Sequence, residues 1–188
     1  MIAPIDVTGI CIETERLFLR PWKSSDLRDF YEYASVDGVG QMAGWLPHKS
    51  IEETKKILDM FITEKKTLAL VLKDNGKVIG SVGFEDMDPD PIGEGAYGRE
   101  IGYVLGKDYW GKGLMTEAVK SVIVHCFEVL GYDYLTCGHF LRNDRSQRII
   151  EKCGFCFFGE TNYETRYDTI EVSKNYILHN PRSEVKYV

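Results

Sequence analysis

Apolar positions along the chain change their period several times, and each change marks an element. Between Thr14 and Trp22 they alternate in a short run closed by Pro21, the period-two signature of a strand. After Ser24-Ser25-Asp26 the spacing lengthens to Leu27, Phe30, Tyr31 and Ala34, the i, i+3, i+4, i+7 stripe of an amphipathic helix. Ser50 with Glu53 three residues on makes a capping box ahead of a second such face, Thr54, Ile57, Leu58, Phe61 and Ile62. Residues 67–73 and 77–85 return to β-rich composition and are joined by Asp74-Asn75-Gly76, where Asn-Gly supplies the positive φ angles of a tight hairpin. A Pro/Gly-rich loop over 87–98 precedes a strand at 99–105. From Met115 the spacing Ala118, Val119, Val122, Ile123, Cys126, Phe127 and Leu130 predicts a long helix capped by Gly131. A strand at 132–139, a short helix at 145–152 stopped at Gly154, and strands at 155–163 and 167–178 complete the chain.

The order β-α-α-β-β-β-α-β-α-β-β is that of an α/β (mixed α+β) fold with about seven strands and four helices. The strand at 99–105, the helix after Gly113 and the strand at 132–139 form a β-α-β crossover, which obliges two parallel strands inside a sheet otherwise built from hairpins. At 188 residues, 44% hydrophobic and 28% charged, the chain reads as one globular domain over 1–188. Its net charge of −6 and lack of a basic stripe argue against nucleic acid. Residues 1–10 carry no basic residue before an apolar stretch, and the longest strongly apolar run, 68–72, cannot span a bilayer. Five cysteines, Cys11, Cys126, Cys137, Cys153 and Cys156, are an odd number spread through apolar segments, as in a reduced, cytoplasmic protein. Cys153-x-x-Cys156 lacks two further ligands at suitable spacing, so no metal is assigned.

Chemistry concentrates in the stretch Gly106 to Glu117. It nearly spells a nucleotide-triphosphatase P-loop, but Gly113 stands where a hydroxyl must hold Mg²⁺. A dinucleotide G-x-G-x-x-G fails at Thr116, and the full match at 93–98 precedes a strand instead of opening a helix. What survives is the physics these motifs share. Glycines let consecutive N–H groups from Gly111 to Met115 converge at the positive end of a helix, a cradle for a diphosphate.

Several segments in order resemble the Gcn5-related N-acetyltransferase (GNAT) superfamily, in particular its RimJ/RimL-like branch, from Glu13 to about Leu178. They are Glu13-Thr14-Glu15-Arg16-Leu17 with Leu19-Arg20-Pro21-Trp22, Gly80-Ser81-Val82-Gly83-Phe84, Glu100-Ile101-Gly102-Tyr103-Val104-Leu105, Tyr109-Trp110-Gly111-Lys112-Gly113-Leu114-Met115-Thr116-Glu117-Ala118, and Asn143-x-x-Ser146 through Glu151-Lys152-Cys153-Gly154-Phe155. One departure is Asp108, where the family's loop usually opens on Gln or Arg; Lys107 and Lys112 are the nearby cations. The resemblance implies acetyl-CoA as cosubstrate, lying where the two parallel strands splay apart. Its pantetheine would pair with the backbone of Tyr103, Val104 and Leu105, and its diphosphate would meet Trp110, Gly111, Lys112, Gly113, Leu114 and Met115. Asn143 and Ser146 would face the pantetheine and thiol, with Arg142, Arg145 or Arg148 within reach of the adenosine phosphates.

Acetyl transfer from a thioester needs a neutral amine held against the carbonyl and a stabilised oxyanion. An α-amine titrates at about 8 and a lysine at about 10.4, so the latter needs a base. Glu100 is the first candidate base and Glu85 the second, with Ser146 as donor to the leaving thiolate and the Val104 N–H toward the oxyanion. The acceptor is a primary amine, either a protein N-terminus or a small molecule. The acids Glu85, Asp86, Asp88, Asp90 and Glu94 would draw a cation, a polyamine or a basic N-terminus, and Tyr33, Trp45 and the segment 38–48 resemble the acceptor wall. A non-catalytic CoA-binding sensor or scaffold of the same fold is the alternative, and monomer and homodimer both remain open.

Overall fold

The computed structural model describes residues 1–87, 90–93 and 95–185. Its strands are β1 (Ile12–Glu13), β2 (Leu17–Pro21), β3 (Thr67–Leu72), β4 (Val78–Glu85), β5 (Gly98–Leu105), β6 (Tyr134–Phe140), β7 (Cys156–Glu164) and β8 (Ile170–His179). Its helices are α1 (Leu27–Ala34), α2 (Ile51–Glu64), α3 (Leu114–Glu128) and α4 (Asp144–Lys152). The strands form one sheet in the order β1-β2-β3-β4-β5-β6-β8-β7, antiparallel throughout except for the pair β5–β6. The eighth strand is the two-residue β1, too short for an alternation to reveal.

Caps behave largely as their residues dictate. The Ser50 hydroxyl accepts the Glu53 N–H at 3.2 Å, while the Glu53 carboxylate reaches one residue further back, to the Lys49 N–H at 2.7 Å. The β3–β4 turn departs from the expected Asn-Gly geometry. Only Gly76 has positive φ, at 73°, and Asn75 instead accepts the Lys77 N–H with its side chain at 3.0 Å, an Asx turn that spares asparagine the left-handed region.

Cross-strand register divides the sheet into two faces. Leu68, Val82 and Tyr103 share one face with the pair Phe84–Ile101, and Leu17, Leu19 and Leu70 pack there against Met115, Ala118, Val119 and Val122 of α3. On the other face, Ala69, Val71, Val78 and Val104 pack beneath Phe30, Tyr33, Ala34 and Leu58 of α1 and α2. Burying well over a dozen apolar side chains this way supplies on the order of 1.5–3 kcal/mol each before conformational entropy is subtracted. At the start of α1, Arg20 grips Asp26 through two bonds of 2.7 and 2.9 Å, tying the helix to β2.

The parallel ladder is short. β5 meets β6 only at Gly98–Tyr134, Arg99–Leu135 and Glu100–Thr136. Beyond Glu100, β5 stays with β4 as far as Leu105 while β6 continues with β8 to Phe140. The two strands therefore part in the middle of the sheet, as the resemblance leads one to expect.

Candidate active site

One cavity of about 990 Å³ runs through this gap. At one end it is lined by Gly111, Gly113, Leu114, Met115 and Thr116, and at the other by Glu85 and Glu100. Gly111 and Gly113 have φ of 74° and 75°, a conformation costing about 1–2 kcal/mol for a residue with a Cβ. Gly113 is the N-cap of α3 and offers no side-chain acceptor to the helix's first N–H groups. Those donors open onto the cavity at the positive end of a 15-residue helix, so the residues fit a diphosphate.

The loop is braced from outside. Arg16 donates to the Lys112 carbonyl at 2.9 Å and to Glu117 at 2.7 Å, and Glu117 also accepts the Thr14 hydroxyl at 2.6 Å. Lys112 itself is not among the lining residues and lays its ammonium over the Tyr109 ring. Of the expected cations, Arg145 and Arg148 line the cavity, with Arg145 stacked 4.0 Å from the Trp110 ring centre. Arg142 is held elsewhere, by Glu171 at 2.9 Å, and Lys107 points to the Asp37 carbonyl.

The exposed edge of β5 is narrower than the three residues expected. The Gly106 N–H bonds the Ile79 carbonyl on β4 at 2.8 Å, and the Val104 carbonyl lies so close to Gly80 that a Cβ there would sit 2.3 Å away. Main-chain groups alternate sides along a strand, so Val104 faces β4 while Tyr103 and Leu105 face the gap. The expectation that the Val104 N–H points at an oxyanion gives way for this reason. The Leu105 carbonyl is already occupied by the Trp110 indole N–H at 2.8 Å, leaving Tyr103 as the central free position.

Side-chain chemistry is split across the strand. Tyr103 lies on the α3 face, where its hydroxyl meets Ser146 Oγ at 2.8 Å and the Ser146 carbonyl at 3.3 Å. Burial pushes its pKa well above the ordinary phenol value, so the hydroxyl keeps its proton. Asn143 caps α4 by accepting the Ser146 N–H at 3.2 Å and donates to the Met42 carbonyl at 3.4 Å. The sequence pointed to Tyr103 for its backbone alone; the signal for its side chain was the parity that sets it opposite Glu100.

Glu100 lies on the other face, directly across from Glu85. Burial, and then the charge of Glu85, raise its pKa from 4.5 to about 7. Like charges directly opposed on a sheet repel. Neither carboxylate has a hydrogen bond or ion pair among the described residues. Of Gly83 and Gly102, paired on the same face, Gly102 faces open space, while the Glu85 carboxylate lies over Gly83, where a Cβ would sit 2.9 Å from it. Thr136, opposite Glu100 on β6, is buried at 4% exposure with its hydroxyl unpartnered. Of the other expected acids, Asp86 is bound by Arg99 and by Lys66 at 3.5 Å, and Asp90 by the Met1 amine at 2.5 Å and the Tyr134 hydroxyl. Asp88 and Glu94 lie outside the described residues.

Tyr33, Trp45, Leu46, Ile57, Phe61, Phe140 and Tyr163 also line the cavity. The segment Gly40–Ala43, of which Met42 and Ala43 line it, is held by Arg142 to the Gln41 carbonyl at 2.9 Å and by the Arg166 N–H to the Gly44 carbonyl at 2.8 Å. All five cysteines are free, and Cys126 and Cys137 are buried. No helix among the described residues is long and apolar enough to cross a membrane.

Comparison with known proteins agrees with this geometry. A family model described as an acetyltransferase (GNAT) domain matches residues 16–156. The "Probable N-acetyltransferase YjcK" of Bacillus subtilis (strain 168) is 31% identical over 157 residues, covering 82% of this chain and 78% of that protein. The spermidine N(1)-acetyltransferase of Escherichia coli (strain K12) is 27% identical over 148 residues, covering 78% and 76%. Among solved structures, a GNAT-family acetyltransferase from Bacillus anthracis superposes with a TM-score of 0.80 at 20% identity, covering 91% of this chain and 99% of that one.

Proposed function

The chain belongs to the GNAT acetyltransferases, and from that premise we propose that it moves an acetyl group from acetyl-CoA directly to a primary amine, a protein N-terminus or a small molecule. The observation that carries this reading is the parity of β5. A carboxylate with a pKa near 7 stands on one face and a protonated phenol on the other, at the point where the sheet opens and one cavity joins them. Such a pair can serve the two ends of a transfer, a base at the amine and a proton donor at the departing sulfur.

Acetyl-CoA supplies an activated thioester and a thiolate leaving group. Gly111, Gly113, Leu114 and Met115 would hold its diphosphate on backbone N–H groups, with Arg145 and Arg148 as neighbouring charge, and the backbone of Tyr103 would pair with its pantetheine. On the α1/α2 face Glu100 accepts a proton from the incoming ammonium, since a base is most effective when its pKa lies near the working pH. Glu85 keeps Glu100 basic and attracts the cation. On the α3 face the Tyr103 hydroxyl, joined to Ser146, donates toward the departing sulfur; Ser146, 8% exposed, positions it. The free cysteines fit a reducing compartment, and the reading places the enzyme in the cytoplasm, in the RimJ/RimL-like branch.

The test is thermal denaturation with acetyl-CoA, CoA, MgATP and NAD in separate samples, because a ligand that binds only the native state raises the midpoint. A rise with acetyl-CoA and CoA alone is expected, followed by amine-dependent thiol release. A rise with MgATP alone overturns the assignment.

A further inference from the structure

The charges around the acceptor end are arranged more selectively than the acid-rich sequence suggests. We propose that the amine substrate is a small monoamine with an apolar body, in preference to a polyamine or a basic peptide. This rests on reading the same cavity as an acetyl-transfer site.

Three observations converge. Among the described residues, two of the acids that would draw a polycation are engaged within the chain itself: Asp86 by Arg99 and Lys66, Asp90 by the Met1 amine and the Tyr134 hydroxyl. Among the described residues, that leaves Glu85 and Glu100 together at one spot, beside the open space over Gly102, enough to attract one ammonium. The remaining carboxylate in the lining, Glu53, accepts the Lys49 N–H and caps α2.

Secondly, two of the charges in the lining are unpaired cations. Lys49 and Arg166 line the cavity and are exposed, with no ion pair among the described residues. A second ammonium reaching outward from the Glu85–Glu100 pair would meet these cations, which costs affinity.

Thirdly, the space between is apolar. Trp45, Ile57 and Phe61 are only partly buried, and Leu46 and Tyr163 are 46% and 43% exposed, all facing the same cavity. Covering such surface stabilises by about 25 cal/mol per Å², which favours an aryl or branched alkyl body over a hydrated polymethylene chain. Arg142 on Gln41, Asn143 on Met42 and Arg166 on Gly44 hold the segment beside this surface in place.

Calorimetric titration of phenethylamine, spermidine and an arginine-rich tetrapeptide with a free N-terminus, into the full-length protein with and without CoA, tests this. Phenethylamine is expected to bind at least tenfold more tightly than the other two. Trp45→Ala should weaken phenethylamine about tenfold, and Leu46→Ala, at a more exposed position, should weaken it severalfold should Trp45→Ala not fold. Spermidine or the peptide binding as tightly as phenethylamine overturns the proposal, as does phenethylamine binding that Leu46→Ala leaves unchanged. Thiol release from acetyl-CoA separates the two readings. Selective phenethylamine binding without release removes the transfer reading and keeps this one, whereas release fastest with spermidine does the reverse.

Discussion

Replacing Glu100 with Gln should make the protein more stable and less active at once. A carboxyl whose pKa rises from 4.5 in the unfolded chain to about 7 in the fold binds its proton more tightly when folded. Native stability therefore falls as pH rises between those values, and the penalty is fully present above 7. The displacement corresponds to on the order of 3 kcal/mol, a ceiling because one side of the carboxyl meets the open cavity. Glutamine resembles the protonated form in shape and carries no charge, so Glu100→Gln escapes the penalty. The two proteins should unfold alike near pH 4.5 and diverge as pH rises. At pH 8 the variant's midpoint should stand up to roughly 10 °C higher, given a few degrees per kcal/mol for a chain of this size. Denaturation at pH 5, 6, 7 and 8 without ligand reads this directly. In parallel, the limb of kcat/KM with an apparent pKa near 7, which belongs to the Glu85–Glu100 pair jointly, should vanish in the variant while acetyl-CoA affinity holds. A stability difference that stays constant across pH would refute the account of Glu100 as a desolvated, repelled carboxyl.

Glu85→Gln should lower the pKa of Glu100 by removing its opposed charge, moving the same kinetic limb to more acid pH; a limb that stays put shows that burial alone sets it. Tyr103→Phe should lower kcat about 10²-fold with acetyl-CoA KM nearly unchanged, and Ser146→Ala less, measured by thiol release at saturating amine. Gly113→Ala, forced to a φ of 75°, should cost about 1–2 kcal/mol of stability and weaken CoA about tenfold by calorimetry. Arg142→Gln should raise the amine KM severalfold and leave the acetyl-CoA KM alone, because it releases Gln41 and Glu171 without touching the cofactor end.

Much of the fold was legible because its signals are local. The periodicity of α3, the caps at Ser50 and Gly154 and the β-α-β crossover all follow from neighbours in sequence. The turn at Asn75-Gly76 was misread in detail because either residue can relieve the strain, and the side chain of Asn75 found another partner. The base candidate was visible by position, but its environment was not. Nothing in the sequence says that Glu85 and Glu100 fall opposite one another, since that depends on register across the β4–β5 pair. The acid-rich loop misled for a related reason, as the cations that neutralise Asp86 lie 13 and 20 positions away in sequence, at Arg99 and Lys66. Once strand parity was known, Val104 lost its expected place at the oxyanion, while Tyr103 kept its backbone role and gained one for its side chain.

The short parallel ladder has a consequence for motion. Three residue pairs, from Gly98–Tyr134 to Glu100–Thr136, are all that join β1–β5 to β6–β8 within the sheet. Mechanically the sheet is two stiff plates hinged at one end, and the α3 crossover bridges them from behind. A pantetheine lying along Tyr103, as proposed, would work as a removable strand that ties the free ends of the plates together. Cofactor exchange and the breathing of the protein about that hinge would then be the same motion. Because Asn143 and Arg142, which hold the Met42 and Gln41 carbonyls, sit just past the end of β6, opening the hinge would also loosen the segment proposed to wall the amine's site.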